Sequence, residues 1–295
     1  MSLKKERVLI AVGIVLIILE LIGVGAFFVW RQGAPSSQPG LQTTGAAVES
    51  TEDEIVWDIV PDEEFISEAD NIPKNRFSVQ DFKKDGDYLT CLAEPCVMGI
   101  DVSSYQGRID WEQVKAAGFE FVMIRIGGRG YGEEGYLFTD TMADTYYAGA
   151  KAAGLWVGAY FFSQAVDETE ALKEAQLALE LTRDWELDLP LAYDWEFVSQ
   201  EARTAYIDMW TVAQCTKVFC GAVKEAGREP MVYLSLWFGY PCFEELMDYP
   251  IWLALYTEEM TYPYHFDMWQ YTCSGTVPGI TGDVDINIYF PTAYE

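Results

Sequence analysis

At 295 residues, half of them apolar or aromatic, the chain is long enough for one sizeable domain with appendages. Its 47 acidic and 19 basic residues give a net charge of -28, spread over the whole length. Nucleic acids and anionic membrane surfaces require basic patches, so the charge argues against both as partners. His265 is the only histidine and there is no Cys-x-x-Cys pair. That leaves no zinc ligand set and no His-dependent triad, and neither a metal nor a cofactor is expected.

In chain order, Val8 to Trp30 is an almost unbroken apolar stretch of 23 residues, long enough to cross a hydrocarbon core of about 30 Å as a helix. Lys4, Lys5 and Arg7 precede it, so the positive-inside rule puts the N-terminal tip in the cytoplasm and the rest on the outer face of the membrane. The competing reading is a cleaved signal peptide ending near Val24-Gly25-Ala26, although its apolar region would be longer than usual. Residues 31–75 turn polar and then acidic, with ten acids between Glu49 and Asp70 and no Lys or Arg among them. Such a segment has little to bury and repels itself, so it reads as a disordered, extended tether. The division is thus residues 1–30 as tip and transmembrane anchor, 31–75 as acidic linker and 76–295 as a folded domain. Phe77 to Cys96, with Asp85-Gly86 at its centre, reads as a hairpin leading into that domain. Of the six cysteines, Cys91 and Cys96 bracket a short loop that a disulfide would close; Cys215 and Cys220 lie on different faces of a predicted helix.

From Met98 onward apolar runs alternate with helical patterns. Strands are expected at 97–102, 120–126, 155–162, 190–196, 230–235, 250–256, 266–272 and 284–289. Helices are expected from Asp110 to Gly118, Thr139 to Gly154 and Gln200 to Gly227. Repeated alternation argues for a parallel sheet covered by helices, and about eight strands in this length argue for closure. The fold class is α/β, an irregular (β/α) barrel of about eight strands with fewer than eight helices, because the later connections are too short for full helices.

In such barrels chemistry collects at the C-terminal ends of the strands. Asp101 ends the first strand, Asp194 and Glu196 end the fourth, and Asp285 lies in the last. Strand side chains alternate faces, so Asp194 and Glu196 point the same way with α-carbons roughly 6.6 Å apart. Two acids at the mouth of an apolar strand cannot both ionise freely; one is kept protonated near neutral pH, which is the equipment for cleaving a glycosidic bond. The bland alternative is a strand end dipping into solvent.

Six segments then resemble, in order, those of the glycoside hydrolase family 25 muramidases. They are Gly99-Ile-Asp-Val-Ser-Ser-Tyr-Gln-Gly107 with Ile109-Asp-Trp111, Phe121-Val-Met-Ile-Arg125, Ala153-Gly-Leu-Trp-Val-Gly-Ala-Tyr160, Ala192-Tyr-Asp-Trp-Glu196, Trp269-Gln-Tyr-Thr272 with Val277-Pro-Gly-Ile280, and Val284-Asp-Ile-Asn287. Phe161 departs from the family, many of whose members carry His there. The resemblance implies a peptidoglycan hydrolase that cleaves the β-1,4 bond between N-acetylmuramic acid and N-acetylglucosamine with net retention. It implies Glu196 as general acid and then base, Asp194 as the group that polarises the substrate's own acetamido, and Asp101 and Asp285 as groups that tune these two and hold the sugar. A direct nucleophile role for Asp194 stays open. Tyr105, Tyr131, Tyr160, Phe162, Trp237, Tyr256 and Trp269 sit near predicted strand ends, where aromatic rings can cover sugar faces; Arg125 is expected in the barrel mouth, paired with one of the acids. The expected partners are peptidoglycan strands, the membrane through one helix, and other membrane proteins of a cell-wall complex. A catalytically silent wall-binding scaffold on the same barrel is the alternative.

Overall fold

The computed structural model describes residues 72–92, 95–235 and 246–291. The anchor, most of the acidic linker and Trp237 lie outside the described residues, and no described helix is long and apolar enough to cross a membrane. Residues 72–75, assigned to the linker by composition, belong to the folded domain: Ile72 is buried, Lys74 pairs with Tyr264, and the Asn75 side-chain amide donates to the Tyr262 carbonyl at 2.7 Å.

A hairpin of β1 (Phe82–Asp85) and β2 (Tyr88–Cys91) comes first, turning at Gly86, whose φ of 64° suits a residue without a β-carbon. The barrel follows: β3 (Val97–Val102), α1 (Trp111–Ala116), β4 (Phe121–Arg129), a short β5 (Leu137–Thr139), α2 (Ala143–Ala152), β6 (Trp156–Ser163), α3 (Glu168–Leu181), β7 (Leu191–Trp195), α4 (Met209–Glu225), β8 (Pro230–Ser235), β9 (Ile251–Ala254), β10 (Met268–Gly275) and β11 (Val284–Tyr289). Neighbouring strands run β3, β4, β6, β7, β8, β9, β10, β11 and back to β3, closing eight strands into a barrel with four helices outside among the described residues. β5 is an antiparallel addition to the rim of β4. Contrary to a wholly parallel sheet, β11 runs antiparallel to both β10 and β3, because the short link from Gly275 to Val284 turns the chain back without a crossover.

Three helices begin at an aspartate whose carboxylate accepts a backbone N–H of the first turn: Asp110 from Gln113, Asp167 from Glu170 and Asp208 from Thr211. Two helix starts differ from the sequence expectation. Thr139 is taken into β5, so α2 begins at Ala143; irregular chain from Gln200 delays α4 to Met209. Helix α3 has no counterpart among the helices expected from the sequence.

Strand alternation splits the apolar residues into two cores. Phe121, Met123, Ala192, Met231, Trp252 and Met268 fill the barrel interior. Val122, Ile124, Val157, Tyr193 and Val232 face outward under the helices. Gly99 lies on the interior face, where a β-carbon would come within 2.4 Å of the Phe121 ring. Among the described residues no helix covers the β9–β10–β11 side; the hairpin does so instead. Phe77 lies tilted against Phe290 with ring centres 4.4 Å apart, and the Phe82 ring meets Trp269 edge-on at 4.9 Å. The Tyr271 hydroxyl accepts the Leu89 N–H at 3.2 Å, tying hairpin to barrel. At the end of that hairpin the Cys96 thiol lies 3.7 Å from the Cys91 carbonyl, and both are free thiols; Cys215 and Cys220 are buried and also free.

Candidate active site

Asp101, Asp194, Glu196 and Asp285 converge on the rim at the β3, β7 and β11 edges of the barrel mouth. Asp101 and Asp285 are direct partners across the antiparallel β11–β3 pair. Asp194 pairs with Phe162 on β6 and Tyr233 on β8. Glu196 lies one residue past the end of β7, on the same face as Asp194.

Asp101 is anchored by two amides that sequence reasoning missed. Asn287 donates to its Oδ2 at 2.8 Å and Gln270 to the same oxygen at 2.7 Å. The orientation of Asn287 is forced, because the donor-only indole N–H of Trp252 meets Asn287 Oδ1 at 2.8 Å and leaves the NH2 for Asp101. Gln270 is fixed likewise: its Oε1 accepts the hydroxyls of Tyr233 at 2.9 Å and Tyr256 at 3.0 Å. Asn287 and Gln270 were legible, since each stands two residues from another inward position, Asp285 and Met268 respectively, in segments the resemblance had marked.

The electrostatics follow from placing four carboxyls in one apolar mouth. Burial raises Asp101 to about 6, against the two amide bonds that favour its ionised form. Burial raises Glu196 to about 7, with the Asp101 charge adding to the shift and a hydrogen bond from Tyr233 opposing it. Asp194 is held well above the usual carboxylate range by burial, then by Glu196 and Asp101, with Arg125 pulling the other way. Asp285 is raised by burial, Asp101 and Glu196. The four therefore titrate as a set that retains protons near neutrality. Asp194 Oδ1 is buried and has no hydrogen-bond partner among the described residues.

The remaining expected residues divide. Tyr160 is half-buried on the floor, its ring edge-on to Trp252 at 5.8 Å and its hydroxyl within the field of Asp101, Asp194 and Asp285. Phe162 is half-buried on the same face, and Tyr105 and Tyr256 are exposed at the lip. Tyr131 is exposed on the loop after β4. Arg125 does lie in the mouth, but its ion pair is with Asp140 at 2.9 Å, not with any of the four. Asp140 sits just after β5 and also accepts the Ser104 N–H, so it binds Arg125 to the β3 loop; the Arg125 guanidinium lies 4.9 Å from the Tyr105 ring centre. Trp269 is a correction. Fully buried, it points outward beneath Phe82, and its indole N–H donates to the Leu255 carbonyl at 2.8 Å. On β10 the inward residue is its neighbour Gln270. Asp283 is exposed and apart from the set, and His265 pairs with Asp267 in the loop before β10.

Residues 100–280 match the profile of glycosyl hydrolases family 25. The chain belongs to this family. It is 30% identical over 191 residues to an autolytic lysozyme of Clostridium acetobutylicum, covering 64% of this chain and 54% of that relative. It is 28% identical over 203 residues to lysozyme M1 of Streptomyces globisporus, covering 65% and 67%. The chain thus spans about half the length of the first and two thirds of the second. Among solved structures, the bacterial lysozyme from Streptomyces coelicolor aligns with a TM-score of 0.55 at 25% identity over 67% of this chain and 93% of that one. A family 25 glycosyl hydrolase from Bacillus anthracis gives 0.53 at 21% identity over 73% and 94%. Glycosyl hydrolases family 25 therefore accounts for the barrel and for the segments that carry all four carboxylates except Asp285, which lies just past the matched range.

Proposed function

We propose that this family 25 domain is a muramidase that cleaves the β-1,4 bond between N-acetylmuramic acid and N-acetylglucosamine in peptidoglycan. The observation that carries the reading is the four-carboxyl rim, in which the partly exposed Glu196 is held protonated to about pH 7 while Asp194 keeps an unpartnered buried oxygen. Glu196 donates its proton to the leaving oxygen, and the resulting carboxylate then takes a proton from water. Asp194 Oδ1 accepts the N–H of the substrate's acetamido group and polarises it for attack on the anomeric carbon from within the sugar, which gives net retention. A donor at Oδ1 stabilises the ionised form of Asp194, so substrate binding itself moves that carboxyl toward the charged state it needs. Asp101, whose ionised form Asn287 and Gln270 stabilise, keeps negative charge near the developing oxocarbenium ion and helps to hold Glu196 protonated.

The test is digestion of purified cell wall followed by mass analysis of the reducing ends. Wild type is expected to release muramic acid ends. Glu196→Gln is expected to fold and release none, and Asp194→Asn to lose roughly two to four orders of magnitude in turnover. Wall binding without new ends in the wild type would establish the silent scaffold instead.

The apolar run 8–30 and the acidic run after it support a further part of the reading, a domain tethered to the outer face of the cytoplasmic membrane by one helix, among other membrane proteins that act on the wall. Sedimentation with membranes, resistant to salt and carbonate, together with protease sensitivity of the domain in intact spheroplasts, is the expected outcome; a soluble, freely released domain would refute it.

A further inference from the structure

We propose that Gln164 is a positioning residue for Glu196, oriented in turn by Thr204; the proposal rests on Glu196 being the acid. Glu196 stands beyond the last ladder pairs of its strand, Asp194 with Tyr233 and Trp195 with Ser163. The ladder fixes the chain up to Trp195, and the direction of the Glu196 carboxyl then depends on where its own peptide points. That peptide is held by a side chain. Gln164, the residue after β6, is wholly buried and donates through Nε2 to the Glu196 carbonyl at 2.7 Å and to the Ser163 carbonyl at 2.8 Å. Two carbonyls accept only, so the NH2 end must face them and Oε1 must face the other way. There the hydroxyl of Thr204, itself 1% exposed, donates to Oε1 at 2.6 Å.

The clamp has a second anchor. Arg203 Nη1 donates to the Gln164 carbonyl at 3.3 Å, while the same guanidinium grips both oxygens of Glu170 on α3 at 2.7 and 2.9 Å. Thr204 and Arg203 belong to the irregular stretch between β7 and α4, so the loop that carries the acid is folded back onto the amide that fixes it. Gln164 is sealed from the mouth, has no access to sugar and takes no part in proton transfer. Its buried amide satisfies polar groups that would otherwise be orphaned, and in doing so it selects one orientation of the Glu196 peptide.

The experiment compares Gln164→Met, Thr204→Val and Thr204→Ser in the full-length protein, with Glu196→Gln as control. Turnover of soluble glycan fragments, KM, the pH–rate profile and the thermal midpoint are read for each. Gln164→Met keeps the volume and removes the amide; misplacing the acid by a fraction of an ångström should lower kcat roughly 10- to 100-fold with KM unchanged. As the carboxyl leaves Tyr233, which favours its ionised form, the alkaline limb should move to higher pH. Thr204→Val should shift kcat and the limb in the same directions by less, and Thr204→Ser, which keeps the donor, should behave as wild type. A Gln164→Met protein with wild-type kcat and limb overturns the proposal, as does a loss of rate that follows the folded fraction alone. If Gln164→Met does not fold, Thr204→Val against Thr204→Ser decides by the same two readouts. Should Glu196→Gln stay active, the reading of the acid fails; should it be inactive while Gln164→Met is unaffected, only the clamp fails.

Discussion

Replacing Tyr233 by Phe isolates one force on the acid. The Tyr233 hydroxyl opposes the burial of Glu196, its single proton being shared between that carboxylate and Gln270 Oε1 at 2.9 Å. The ring itself packs edge-on against Trp252 at 5.0 Å, and Phe preserves that contact. The second donor to Gln270, Tyr256, stays in place at 3.0 Å, so the anchor of Asp101 survives. A hydrogen bond to an ionised acceptor is worth about 1.5 kcal/mol at the low end suited to a partly exposed carboxyl, or roughly one pH unit. The sign follows from which form the bond favours. Tyr233 stabilises the carboxylate, so its loss raises the Glu196 pKa above about 7; the protonated acid is the active form, and activity is lost as pH rises through that value. The alkaline limb of kcat/KM on soluble glycan fragments should therefore move up by roughly one unit. A limb that stays in place or moves to lower pH would refute both the hydrogen bond's role and Glu196 as the group whose protonation controls the rate.

Other outcomes follow from the packing around the site. Glu174→Gln should destabilise the domain by roughly 1–3 kcal/mol in urea unfolding, because the buried Arg129 loses its contact at 2.6 Å and keeps only the longer pair with Glu170 at 3.7 Å; an unchanged midpoint would refute this. Phe82→Ala should cost about 3–5 kcal/mol and expose the Trp269 indole to quenchers, since the hairpin ring is its cover; unaltered Trp quenching would show that the hairpin is dispensable. Treatment with EDTA should leave turnover unchanged, because the rim carboxyls are poised toward the protonated form; loss on chelation and recovery with a divalent cation would refute the proton-transfer scheme.

The strand positions were legible because apolar runs bounded by turn residues mark buried strands whatever surrounds them: 97–102, 230–235 and 284–289 match their strands residue for residue. Helix starts were less so. Thr139 carries the signature of a helix start, yet β4 offers an open rim after Arg125, and pairing Gly127 with Thr139 draws that residue into β5. A local cap signal lost to a long-range ladder. The role of the hairpin was also hidden, since nothing in Phe77 or Phe82 states that their rings pack against Phe290 and Trp269 on the barrel.

Within the site, the two-residue period that joined Asp194 to Glu196 holds the answer to what was missed. Applied to β11 it puts Asn287 beside Asp285, and applied to β10 it sends Gln270 inward with Met268 and Trp269 outward. Trp269 was placed in the groove because an indole suits a sugar, an argument from chemistry that parity overrules. Parity within a strand cannot, however, bring Asn287 to Asp101. That contact needs the register of β11 against β3, in which Asp285 faces Asp101 and Asn287 faces Gly99. The bare interior face of Gly99 in turn leaves room for the Phe121 ring, which any β-carbon there would strike. The pKa values follow from closure in the same way: each acid alone ends an ordinary strand, and only when β3, β7 and β11 meet around one mouth does each carboxyl raise its neighbours. The identity of the acids is therefore a property of the sequence, and their protonation is a property of the closed barrel.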